Sequence, residues 1–268
     1  MFRWLRLSFN SLMFPLWTAL CVSGALLIGW LTRDPLFFYR NQRGWAGGLF
    51  KLCGIELVVH GAENMAADGA YVIVANHASY FDIPALFASL PKLPQIMAKA
   101  ELARIPFLGA ALRAGRHILV KRGNHATAKS SLDNSAEQLK SGAAILIFPE
   151  GTRSTRDAIG RFKTGAFRLA KLGDVAILPV GISGTRYVLP KHGRFIRPHR
   201  VSVRIGRPLS AAEVRDTPLN ELSERARARL SELAQLPLVN DAAPAAEPTE
   251  AAPTSTSTST ASATRDSA

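Results

Sequence analysis

Two short runs, Tyr71–Ala75 (YVIVA) and Ala143–Phe148 (AAILIF), carry no charged or amide side chain. Successive strand side chains point to opposite faces, so a run apolar at every position must be covered on both sides. That requirement selects an α/β architecture, a largely parallel sheet between helical layers. The rest of the pattern from Gly54 agrees. Ile55–His60, Gln95–Ala98, His117–Val120, Ala176–Val180 and Val201–Ile205 read as strands. Ile83–Leu90, Pro106–Ala114, His125–Lys140, Thr164–Leu172 and Ser210–Leu236 read as helices, the last opening on the capping box Ser210-x-x-Glu213. Strands alternating with helices in this way build parallel sheets.

Before this domain the chain has a different character. Ser11–Leu31 is twenty-one residues without a charge, about 31 Å as a helix, which matches a hydrocarbon core. Pro15 and Gly24 interrupt the run. A second stretch follows in which Phe38, Trp45, Leu49 and Leu52 share one helical face. Three arrangements are open, a spanning helix, a helical pair lying in one leaflet and a buried core helix. All four tryptophans (Trp4, Trp17, Trp30 and Trp45) fall in this segment, and indoles favour the headgroup region. Arg33, Arg40, Arg43 and Lys51 follow the run, so if it spans, the heavier basic side, and the rest of the chain with it, is expected in the cytosol. The organisation is therefore a membrane-associated helical segment, 1–53, an α/β domain, 54–240, and an Ala/Pro/Ser/Thr tail, 241–268, expected to stay disordered.

The net charge is +13, and the tail, with four acids and one base, leaves +16 on the remainder. Such an excess favours polyanionic partners. The arginines between Arg186 and Arg207 have few aromatics among them and no accompanying nucleic-acid motif, so nucleic acid is not expected as a partner. Two cysteines, Cys21 and Cys53, are too few for a disulfide framework or a Cys-based metal site, and no metal is expected.

The chemistry concentrates just after the two buried strands. Asn76-His77-Ala78-Ser79-Tyr80-Phe81-Asp82 puts a histidine and a carboxylate at a strand's C-terminal end, where open α/β sheets bind ligands. With the chain folded back between them, Asp82 accepts one ring N–H and leaves the other nitrogen as a base. Ser79 reads as a cap for the next helix. Phe148-Pro149-Glu150-Gly151-Thr152-Arg153-Ser154 supplies a turn and a guanidinium fork suited to phosphate. Thr152 and Ser154 could add neutral hydrogen bonds, while Glu150 is expected to orient a basic neighbour or a substrate hydroxyl.

Together these segments, NHASYFD and FPEGTRS, resemble the first and third signature blocks of the glycerolipid acyltransferases, the family of bacterial 1-acyl-glycerol-3-phosphate acyltransferases. Gly115–Arg122 (GRHILVKR) resembles the second block, although Lys121 stands where an acidic or amide residue is usual. Ala176–Val180 (AILPV) resembles the fourth. The resemblance covers about residues 70 to 185. It implies His77 as general base, Asp82 as its partner, and Arg153, Arg122 and Lys99 as phosphate-binding residues. Gly151 and Thr152 would shape that loop, with Asn76, Glu150 and Ser154 in support. The implied reaction moves a fatty acyl group from acyl-CoA or acyl-carrier protein to 1-acyl-glycerol-3-phosphate, giving phosphatidic acid, with no cofactor. The implied partners are membrane lipids and the acyl donor, at the bacterial cytoplasmic membrane. Another lysolipid acceptor, such as a lyso-ornithine lipid, is the alternative within the same chemistry. A non-catalytic anionic-lipid-binding protein is the alternative outside it.

Overall fold

The computed structural model describes residues 2–34, 36–105, 107–120 and 125–239. Arg122, Lys121 and the tail beyond Asp241, each given an expectation above, lie outside them. Seven strands form one sheet: β1 (Glu56–His60), β2 (Tyr71–Ala75), β3 (Gln95–Lys99), β4 (Ile118–Val120), β5 (Ala144–Ile147), β6 (Ala176–Ser183) and β7 (Arg200–Ile205), in the order β1-β7-β6-β2-β5-β3-β4. Every pairing is parallel except β6–β7. The two apolar runs become β2 and β5, adjacent at the centre, with Tyr71 opposite Ala144 and Val74 opposite Ile147.

Alternation along β2 sorts its side chains into two cores. Tyr71, Ile73 and Ala75 join a cluster covered by the helices α2 (Phe37–Cys53) and α3 (Asp82–Ser89). Val72 and Val74 join the opposite cluster, under α5 (His125–Lys140), α6 (Gly165–Gly173), α8 (Ala211–Asp216) and α9 (Leu219–Ala234). Two further helices, α4 (Leu108–Ala114) and the short α7 (Thr185–Val188), lie between β3 and β4 and after β6. The expected single helix 210–236 is split. Pro218 has no N–H to give and keeps Thr217 extended (ψ 133°), so α8 ends and α9 starts afresh. The capping box on Ser210 and Glu213 forms as expected.

The N-terminal segment is a helical hairpin. α1 (Phe2–Leu31) runs unbroken through Pro15 and Gly24, and α2 returns against it. α2 buries the anticipated face only in part. Leu49 is fully buried and Trp45 packs on the core, but Gln42, Ala46, Phe50 and Cys53 are buried as well, because α2 is sandwiched between α1 and α3 and not merely laid on one surface. Trp17 and Trp45 are also not free anchors. The Trp17 indole donates to the Trp45 carbonyl at 2.9 Å, and Trp45 donates to the Thr18 hydroxyl at 3.2 Å. The Trp17 ring fills the space over Gly48 that a Cβ would need. Trp30, by contrast, is 75% exposed.

Both arms of the hairpin are fastened to the α/β domain. Asn10 donates to the Cys53 and Ile196 carbonyls, and Ser11 accepts the Ile196 amide. On α2, Tyr39 donates to the Leu93 carbonyl and Arg43 to those of Leu90 and Pro91. The outer face of α1 carries Leu5, Phe9, Leu12, Leu16, Leu20, Leu27 and Leu31, all exposed and spaced as one helical stripe. α1 is long and apolar enough to cross a membrane, and this stripe associates the chain with one.

His117, at the foot of β4, accepts the Ile96 amide on Nδ1 at 3.1 Å and stacks on Phe87. Burial pushes its pKa down to about 4. In the unfolded chain a histidine takes its proton near about 6.5, so below that pH the unfolded state binds more protons. Stability should therefore fall as pH drops from about 6.5 towards 4, by at most about 3 kcal/mol. Thermal unfolding of wild type and His117→Asn across that window checks this. The variant should show the flatter profile.

Candidate active site

The parallel strands point their C-terminal ends to one edge, and the residues with chemistry gather there. β2 ends in Asn76, whose side-chain amide continues the ladder after the backbone turns away. Its Nδ2 donates to the Ile182 carbonyl, and its Oδ1 accepts the Ile182 amide, both at 2.8 Å. The chain can then turn sharply while remaining fixed to β6.

That turn is organised by Asp82, the first residue of α3. Its carboxylate is fully buried, and Oδ2 accepts three donors: His77 Nδ1 at 2.7 Å, the Ala78 amide at 2.7 Å and the Ser79 amide at 2.8 Å. The helix N-terminus favours the negative charge. A ring that donates from Nδ1 leaves Nε2 as the acceptor, the tautomer required of a base. Ser79 accepts the Phe81 amide at 3.1 Å, one residue ahead of α3, and donates to the Leu189 carbonyl at 2.7 Å. Its hydroxyl is committed to the turn and does not cap α3 as expected, because Phe81 stands at the N-cap position without a side-chain cap.

His77 is held from a second direction by the loop after β5. Its ring stacks on Phe148, with centroids 4.0 Å apart and planes 16° from parallel. Glu150 does not face a basic neighbour, as sequence had suggested. Its Oε1 accepts the His77 amide at 3.0 Å and its Oε2 accepts the Gly160 amide at 3.2 Å. Burial raises its pKa against the opposing pull of those amides. Ser154 also differs from expectation. Its amide donates to the His77 carbonyl at 2.7 Å, while its hydroxyl bonds within its own turn to the Arg156 amide and carbonyl. Both backbone groups of His77 are thus clamped by the FPEGTRS loop.

Gly151 turns this loop at φ +75°, a region that favours glycine. Thr152 is exposed beside it. The Arg153 guanidinium lies 3.7 Å above the Tyr80 ring and donates to the Lys191 carbonyl at 3.4 Å. Lys99 is exposed at the end of β3. In the order β2-β5-β3 that is two strand spacings from His77's strand, about 10 Å along the same edge. The structure therefore brings His77, Asp82, Glu150, Ser154, Arg153 and Asn76 together, and puts Lys99 on the same edge without contact. A cavity of about 150 Å³ lies beside His77, lined also by Asn76, Glu150, Thr185 and Arg186. That is well under the about 300 Å³ at which ligand pockets begin.

Arg227 was missed by sequence reasoning. From α9 it reaches under the loop, donating through Nε to the Gly160 carbonyl at 2.8 Å and through Nη2 to that of Val239 at 2.9 Å. Gly160 in turn donates to Glu150, which holds His77. The signal was present, since Ser223, Arg227, Leu230 and Ala234 form one buried face of α9 with an arginine in it.

Comparisons with known proteins agree with this geometry. A sequence model described as Acyltransferase matches residues 56–183. The chain is 33% identical over 182 residues to a protein of Pseudomonas aeruginosa named 1-acyl-sn-glycerol-3-phosphate acyltransferase, covering 68% of this chain and 70% of that one. The chain belongs to the acyltransferase family. A Saccharomyces cerevisiae protein of the same name is 34% identical over 198 residues, 71% of this chain. The chain spans 65% of that yeast relative's own length. Among solved structures, the 1-acyl-sn-glycerophosphate (LPA) acyltransferase PlsC from Thermotoga maritima superposes with a TM-score of 0.77. It is 25% identical, over 87% of this chain and 96% of that one. The match includes the hairpin at least in part, because 87% exceeds what the α/β domain alone contributes.

The Asn76 clasp yields a direct test. Asn76→Ala leaves the Ile182 amide and carbonyl without their partners at a buried strand end. Unfolding free energy should fall by about 2–4 kcal/mol. Chemical denaturation in detergent measures it.

Proposed function

We propose that this protein is an acyltransferase that moves a fatty acyl group from a thioester donor, acyl-CoA or acyl-carrier protein, to the free hydroxyl of 1-acyl-glycerol-3-phosphate. The observation that carries this is the His77–Asp82 pair held at the strand edge with Arg153 stacked on Tyr80 of the same turn. The names of the relatives support the same reaction.

In this reading the acceptor hydroxyl lies against His77 Nε2. As its oxygen forms the new bond to the thioester carbonyl carbon, Nε2 takes the proton. The C–S bond breaks and the imidazolium returns the proton to the departing thiolate. A thiolate is a good leaving group, so direct transfer needs no acyl-enzyme. Asp82 stabilises the imidazolium, and the Phe148 stack with the Glu150 and Ser154 clamp fixes the ring's position. Arg153 presents a fork of donors to the phosphate, with Lys99 further along the edge.

The hairpin supports a place for the reaction. A spanning α1 would carry the turn at 32–36 about 30 Å from the domain. Yet Tyr39 and Arg43, just past that turn, bind Leu90, Pro91 and Leu93 of the domain. We read the hairpin as lying in one leaflet, on the cytosolic side, where the thioester donors are. Phe81 supports this. Its ring packs at a tilt against Phe14 of α1 and Phe50 of α2, so the His77 turn sits directly on the membrane hairpin.

The reading is tested on purified full-length protein in detergent, offered lysolipids of different headgroup with acyl-CoA and with acyl-carrier protein. Transfer to 1-acyl-glycerol-3-phosphate should dominate, and preference for an uncharged headgroup would overturn it. His77→Ala should cut kcat by about 10²-fold or more with the fold intact. Asp82→Asn should cost less, though still about tenfold, through loss of tautomer control. Arg153→Lys keeps charge but loses the fork and the flat stack, so acceptor KM should rise more than kcat falls. Ser8→Cys, near the N-terminus, and Arg33→Cys, after α1, should both resist an impermeant thiol reagent applied outside intact cells. Labelling at either one would establish a span.

A further inference from the structure

Between β3 and β4 the chain forms a short 3₁₀ turn (Ala100–Arg104) and then α4. Ile105, Phe107 and Leu108 between them are 48%, 57% and 40% exposed, and belong to neither buried core cluster. They are not the loose ends of a slack loop. The Ile105 amide donates to Leu102 at 3.2 Å, that of Gly109 to Ile105 at 2.8 Å, and that of Ala111 to Phe107 at 2.8 Å. Phe107 is itself held at φ 61°, ψ −49°, a backbone region that bulky residues avoid. The fold thus fixes three large apolar side chains in water and strains one of them to do so.

Two observations say what covers them. α4 packs against both α1 and α2, so this knob stands beside the membrane-associating hairpin. The segment from Lys99 to Arg116 also carries four exposed bases, Lys99, Arg104, Arg113 and Arg116, against one exposed acid, Glu101. Apolar groups rimmed by cations fit the surface of an anionic bilayer.

We propose that Ile105, Phe107 and Leu108 form a second membrane-docking element, inserted at the interface of an anionic bilayer beside α1. The inference rests on the leaflet reading of the hairpin given above. Its physical purpose is orientation. A single helix lying in a leaflet makes a line of contact, about which the domain can roll. A second contact off that line fixes the roll. Lys99 lies immediately before this element, so the insertion would set the depth of the sheet's C-terminal edge and hold it at the phosphate level of the bilayer.

The test uses the full-length chain on a Cys21→Ser background, Cys53 being buried. Single cysteines replace Phe107, Leu20 on the α1 stripe, and exposed Leu172 on α6, across the sheet from the hairpin. Each carries an environment-sensitive fluorophore, in vesicles of phosphatidylethanolamine and phosphatidylglycerol with brominated acyl chains. Quenching at 107 comparable with that at 20, and above that at 172, is expected. Quenching at 20 with none at 107 overturns the second contact and leaves the hairpin reading intact. No quenching at either position overturns both. Phe107→Asp should keep its activity on acceptor in detergent and lose activity on acceptor in vesicles. Equal activity on both would also overturn the proposal.

Discussion

One buried carboxylate oxygen organises the functional edge. Asp82 Oδ2 receives the His77 ring and two consecutive backbone amides within 2.8 Å, in a site that excludes water. A buried charge is tolerable only when donors replace its hydration, and three donors on Oδ2 do much of this while Oδ1 has no partner among the described residues. The geometry leaves little freedom. The turn must close tightly, α3 must begin at Asp82, and the imidazole must present Nε2 outward from its carboxylate. Everything else at the site holds that turn in place, from the Asn76 clasp on β6 to the Phe148 stack.

The support reaches further than the motif itself. Glu150 links the His77 amide to Gly160, and Arg227 fastens Gly160 from α9. On the other face, Phe81 seats the same turn between Phe14 and Phe50 of the hairpin. The α/β domain and the N-terminal hairpin are therefore not two modules joined by a linker. The aromatic residue that anchors the His77 turn is packed by both helices of the hairpin. Burying an aromatic of this size is worth about 2–3 kcal/mol, and here that energy also ties the His77 turn to the N-terminal hairpin. Such coupling restrains the His77 ring from both the sheet and the hairpin.

The sequence by itself determined much of this. Runs apolar at every position required a sheet covered on both faces, and the short spacing from His77 to Asp82 required a folded-back turn between strand and helix. Those are local consequences of side-chain period and chain geometry. The break at Pro218 was also local and could have been read from the proline alone. What only the tertiary structure decided were the partners brought from far along the chain. Glu150 is ambiguous in sequence because a carboxylate can meet a cation, a hydroxyl or an amide, and only the fold brings the His77 and Gly160 amides to it. Arg227 is distant in sequence from everything it holds. The hairpin's place was undecided for a similar reason. Hydropathy measures how much apolar surface a helix has, while the hydrogen bonds of Asn10, Tyr39 and Arg43 to the domain set where that surface faces.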